Sequence, residues 1–248
     1  MASTSESGHA KYVATFEDLI SFCTSYGAAY NPSKAALKLP ALTAQLAACN
    51  AALQAVKTAK TAYDNATNAR EVTFKTLRPL ATKMVSSLAA TDASPQTVDD
   101  ARSVNLKLQG RRAKKVDMPD AAARAAGAPT PKTASVSQQS YDRQIDHFAQ
   151  LLAILAAEPK YLPNENELKL PALNTLLADL RAKNTAVINA YTALSNARIA
   201  RDKALYAETS GMVDVALDVK LYIKSLFGTT SPQFKQVNGL KFKNNPGD

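Results

Sequence analysis

The chain has no tryptophan, two histidines, two cysteines and only 8 glycines in 248 residues. Each shortage excludes something. Cys23 and Cys49 cannot make a disulfide framework, and two buried free thiols are the commoner arrangement in a chain of this length. His9 and His147 leave little for metal or general-base chemistry. Glu6 and His9 have the Glu-x-x-His spacing of a di-iron bundle. Such a centre needs a second motif of that kind and two further carboxylates, and the second motif is missing. Asp142, Asp146 and His147 share one predicted helix and read as a solvated face. No paired-cysteine metal motif, no Gly-x-x-x-x-Gly-Lys phosphate loop and no Gly-x-Ser-x-Gly elbow occurs. There is no continuous run of about 18 apolar residues, so no membrane span is expected. The N-terminal stretch shows neither a basic nor an apolar signal region, and a cytoplasmic location is the expectation. The reading is of a chain that is not an enzyme and takes no metal and no cofactor.

What is present is alanine, 46 residues of it. So much alanine with so little glycine points to helix and away from sandwiches and barrels. Apolar residues make up 46% and charged residues 21%, a composition that folds. The net charge is +9, which favours anionic partners. The excess is uneven. Arg102, Lys107, Arg111, Arg112, Lys114 and Lys115 all fall in the interval 102–115, which contains no acid. This segment is the candidate for contact with phosphate or nucleic acid. A solvated helix end is the plainer alternative.

The chain reads as an internal duplication. Leu-Lys-Leu-Pro-Ala-Leu occupies 37–42 and again 168–173, an offset of 131. At that offset, without gaps, residues 30–74 match 161–205 at 20 of 45 positions. The expected organisation is a helical repeat over 1–110, a basic linker rich in Ala and Pro over 111–137, and a second repeat over 138–248. Each repeat starts with an amphipathic segment, about 11–29 and 139–157. A proline-containing loop leads to a long helix, about 40–78 and 171–208. Pro40 and Pro171 suit its first turn, where a missing N–H costs nothing.

An apolar seam alternates spacings of four and three along each long helix, the pattern of a coiled coil. Beside it runs a stripe of Ala47, Ala51, Ala55, Ala59, Ala62, Ala66 and Ala69. The same offset places alanine again at every one of these positions in the second repeat, from Ala178 to Ala200. The stripe is expected to admit another helix at close range, which would put each long helix at the centre of a bundle. Breaks are expected near Pro79 and at Glu208–Gly211. Further helices follow at about 80–90 and 212–227, and Ser94-Pro95 and Ser231-Pro232 mark later starts. The fold class is therefore all-α, with two pseudo-symmetric repeats in one helix bundle.

The later seam turns polar. Asn65, Arg70, Asn196 and Arg201 form a candidate paired layer, and a buried arginine needs a partner. The layer either binds an anion between the repeats or fixes helix register. Tyr30 and Tyr161 are expected to cap a bundle end with their rings and to reach a polar group with the hydroxyl.

The stretches Lys132-Thr-Ala-Ser-Val-Ser-Gln-Gln-Ser-Tyr-Asp-Arg143 and Asp179-Leu-Arg-Ala-Lys-Asn-Thr-Ala-Val187 resemble a family of internally duplicated, all-helical bacterial proteins. The resemblance implies a bacterial, duplicated, all-α chain and carries over no activity or site. The functional expectation is a scaffold or protein-interaction protein, with self-association as one mode. The alternative is a basic nucleic-acid-binding protein using the 102–115 segment and the Lys241/Lys243 tail.

Overall fold

The computed structural model describes residues 8–110 and 139–243. Among them every regular element is helical and no strand occurs. The α-helices are α1 (His9–Ser25), α2 (Leu39–Lys75), α3 (Leu77–Ala89), α4 (Pro95–Leu108), α5 (Tyr141–Ala157), α6 (Leu170–Tyr206), α7 (Met212–Phe227) and α8 (Pro232–Asn238). Single 3-10 turns at Ala35–Leu37 and Asn166–Leu168 lead into the two long helices.

The element ends follow from the residues that sit at them. Pro40 and Pro171 each occupy the second position of a 37-residue helix, where no intrahelical donor is required. The break expected near Pro79 falls at Thr76, and Pro79 itself lies in the first turn of α3. Proline has no N–H to give to the carbonyl four positions back, at Lys75, so α2 stops there. Ser94, Ser140 and Ser231 are N-caps whose hydroxyls accept from the backbone N–H of Thr97, Arg143 and Phe234. Between α6 and α7, Thr209 takes the left-handed conformation with φ 63°. Gly211 follows, where an added Cβ would lie 2.5 Å from the Ala207 nitrogen.

The chain divides into two compact units, residues 1–64 with 189–248 and residues 65–188. Each is a helical bundle with its own core. In unit 1, α1 buries Val13, Phe16, Leu19 and Cys23 on one face. These meet Leu42 and Cys49 of α2, Leu205 of α6 and the Met212, Val215, Val219 and Ile223 face of α7. In unit 2, the Leu77, Ala81, Met84 and Leu88 face of α3 packs with α4. Ile145, Phe148, Leu152 and Leu155 of α5, with Leu173 and Leu180 of α6, complete that core. Neither core is built from one side of the 111–138 segment alone. The long helices contribute to both units, α2 through 39–64 and 65–75 and α6 through 189–206 and 170–188.

One expectation changes. The alanine stripe does not receive a helix. Ala47, Ala51, Ala55 and Ala62 are exposed, as are Ala178, Ala182, Ala186, Ala193 and Ala200, and the others are half-buried. Alanine there acts as a helix former on a solvent-facing surface. The first half of α2 is also uncharged. Residues 39–56 hold no charged side chain. The helical stretch Leu39–Ala89 is long enough, and over one 18-residue window of mean hydropathy 1.2 apolar enough, to cross a membrane. Only 11% of that window is buried.

Candidate functional site

Of the basic segment, Arg102 and Lys107 lie on exposed positions of α4. Arg102 Nη1 donates to Asp99 Oδ1 at 3.0 Å, one helical turn away, an exposed pair worth little. The Lys107 carbonyl accepts from Gln139 Nε2 at 2.8 Å. Arg111, Arg112, Lys114 and Lys115 lie outside the described residues.

The residues of the candidate polar layer divide between the two units. Asn65 and Asn196 are exposed. Arg70 belongs to unit 2 and Arg201 to unit 1, each with its own partners. Arg70 Nη1 donates to Asn184 Oδ1 at 3.0 Å, and Asn184 Nδ2 donates to Asp142 Oδ1 at 2.7 Å. The guanidinium carbon stands 3.9 Å over the Tyr141 ring, whose edge meets Phe74 at 4.7 Å. The arginine charge thus reaches a carboxylate through a neutral amide and is shielded by an aromatic face. Arg70 Nε and Thr67 Oγ1, one turn apart, are buried with no hydrogen-bond partner.

In unit 1 the Arg201 side chain is 9% exposed and pairs with its neighbour Asp202. Its Nε donates to Asp202 Oδ1 at 2.8 Å. Nη2 lies 2.7 Å from the same oxygen at an angle that makes an ion pair without a hydrogen bond. Nearby, His9 Nδ1 and the Tyr206 hydroxyl are 2.8 Å apart. Burial, with smaller effects from Tyr12 and Asp202 and against the pull of the Arg201 charge, pushes the Tyr206 phenol up to about 12.

The two tyrosine hydroxyls reach polar groups, as expected. Tyr30 and Tyr161 are buried, and their hydroxyls donate to the carbonyls of Leu37 at 2.7 Å and Leu168 at 3.0 Å. Each bond fixes the turn that enters a long helix. Burial raises both phenols above their ordinary range. It also raises both thiols to about 11; Cys23 touches the Tyr30 hydroxyl and Cys49 donates to the Ala204 carbonyl. A thiol held in its neutral form is a poor nucleophile. Burial, then Lys107, lowers the pKa of His147.

Two open grooves mark the surface. In unit 2 one of about 590 Å³ lies between Lys75, Pro79 and Leu80 on one side and Glu167, Leu173 and Leu176 on the other. Lys83 and Glu167, 2.7 Å apart, are both part of its wall. In unit 1 one of about 430 Å³ runs between α1 and α2, with Val13, Glu17, Asn50 and Leu53 in its walls. Among the described residues no group of three or more His, Cys, Asp or Glu side chains is placed to hold a metal.

Asn184 falls on the four-and-three seam of the second long helix, between Leu180 and Val187, but that spacing does not pair it with Arg70. The signal was there, in one amide replacing an apolar residue on a seam that also carries an arginine. Nothing in the spacing pointed to Tyr141 beneath that arginine. In comparisons with known proteins, the chain matches no family model, no curated protein and no solved structure.

Proposed function

We propose that the chain is a non-enzymatic helical scaffold that engages protein partners, a second copy of itself included, through the exposed faces of α2 and α6. One observation carries this reading: these two 37-residue helices leave long faces in solvent, and that of α2 carries no charge over its first half. Residues 39–56 are uncharged, and of them only Leu42 and Cys49 are buried. Val72, Ile188, Tyr191 and Ile199 are exposed to 64%, 57%, 57% and 64%. Apolar side chains set on rigid helices are the usual material of interaction surfaces. The seam extends this to a coiled-coil mode of partner recognition.

The scaffold is also proposed to be a duplicated one. The long helices are equal in length and start at Leu39 and Leu170, the same offset as the sequence repeat. Tyr30 and Tyr161 make the same bond to the seventh position on, Leu37 and Leu168. The test is light-scattering mass against concentration for the full chain and for the double variant Ala51→Glu, Ala182→Glu. Mass that rises with concentration and falls back in the variant, with helicity unchanged, supports the surface. A monomer at every concentration refutes self-association.

The nucleic-acid reading draws on the charge of +9 and on exposed Arg102 and Lys107 beside four further basic residues. It requires salt-sensitive binding that replacement of Arg111, Arg112, Lys114 and Lys115 by Ala abolishes.

A further inference from the structure

We propose that the segments before and after residues 111–138 are binding partners of one kind, and that the later segment also pairs with a second copy of itself. Two chains would then be able to join through their later segments. This rests on the duplication reading above and goes beyond it by naming a partner and a surface.

Three observations carry it. Each core takes its residues from both segments. Leu42 and Cys49 of the first meet Leu205 and Val219 of the second in unit 1, and Leu77 and Leu88 of the first meet Phe148 and Leu173 of the second in unit 2. The surfaces are therefore reciprocal. The buried positions also recur at the offset of 131. Tyr30 and Tyr161, Leu37 and Leu168, Leu42 and Leu173, and Phe74 and Leu205 are all buried. So are Ala81 and Met212, Met84 and Val215, and Leu88 and Val219. Where one member is small, a neighbour is larger, so core volume is roughly kept. Last, the buried polar contact survives the exchange. Arg201 is the repeat counterpart of Arg70, so a pair of later segments sets Arg201 against Asn184, as Arg70 now is. A pair of earlier segments would offer Arg70 only Leu53, the counterpart of Asn184, which has no side-chain acceptor. Pairing of two later segments is thereby favoured over pairing of two earlier ones.

The test uses the full chain with a protease site inserted within 111–138, cut after folding and weighed by native mass spectrometry. The two fragments should stay together at the mass of the uncut chain, 26.5 kDa plus the site. Fragments that part as separate folded monomers overturn the proposal. The cut protein is then unfolded in urea and refolded. Mixed pairs together with pairs of two later fragments are the expected result. Mixed pairs alone overturn self-recognition and leave the scaffold reading standing, because that reading concerns the outer faces of α2 and α6. If refolding aggregates, the cut chain in heavy-isotope and ordinary forms is mixed under native conditions. Doubly later pairs carrying one label each then support the proposal, and exchange confined to mixed pairs overturns it. Asn184→Leu should lower the fraction of doubly later pairs several-fold while leaving helicity intact.

Discussion

Alkali should open unit 1 through its thiols. Cys23 and Cys49 are both fully buried in the same core, and burial raises each from 9.0 to about 11. For an acid held neutral, the folded state keeps a proton that the unfolded chain releases. The stabilisation is complete below pH 9 and is lost as pH climbs from there through 11. Between pH 8 and 10 the ideal loss is about 1.3 kcal/mol per thiol. Discounting for solvent screening leaves about 1 kcal/mol each, or about 2 kcal/mol for the pair. That is a large share of the about 5–15 kcal/mol that holds a typical domain. Tyr30 and Tyr206 lie in the same core with raised phenols, so the fall should steepen above pH 10. The assay is urea unfolding followed by circular dichroism at pH 8, 9 and 10 under reducing conditions, with brief proteolysis to locate the opened segments. The double variant Cys23→Ala, Cys49→Ala should begin less stable, by about 1 kcal/mol for each small void. Its stability should then change little up to pH 10. Equal slopes for variant and parent would refute the reasoning, as would first cleavage in α3 to α5. With no tryptophan in the chain, tyrosinate absorbance can be followed cleanly in the same samples.

Other outcomes follow from single contacts. Acid should weaken unit 2: His147 has a lowered pKa, so its contribution is present above the ordinary value of 6.5 and is lost as pH falls below it. His147→Gln should flatten that acid limb in a stability profile. Phe148→Ala empties a site with no solvent exposure and should cost about 3–5 kcal/mol by urea unfolding. Tyr161→Phe leaves the buried Leu168 carbonyl without its donor and should cost about 1–3 kcal/mol, measured by the same method. Gly211→Ala sets a methyl against the Ala207 backbone, so the α6–α7 turn must shift. A thermal midpoint lowered by several degrees is expected, and an unchanged midpoint would mean that the turn yields freely.

The helices were legible because their signals are local. Spacing placed α7 at Met212–Phe227 to the residue, and the serine-proline pairs located two caps. The break expected near Pro79 sits at Thr76, because the proline's effect falls on the carbonyl four positions back. The exposure of the alanine stripe was not legible, since alanine suits a helix equally well in a seam or in water. The division into two cores was hidden for a different reason. Each core joins elements far apart in sequence, such as α1 with α7 and α3 with α5, and periodicity carries no information on which repeat supplies the partner. The immediate partners of Arg70 and Arg201 were hidden for the same reason: equal heptad positions fix a residue's face on its own helix and say nothing of the helix opposite.

The most direct measurement is the light-scattering mass of the untagged full chain at low salt, over a range of concentrations, with absorbance at 260 and 280 nm before and after nuclease. A scaffold that associates through its long helices should show a mass that rises above 26.5 kDa with concentration and a protein-like ratio that nuclease leaves unchanged. A constant monomer mass, with a high ratio that nuclease and salt bring down, would contradict it and turn attention to the basic segment.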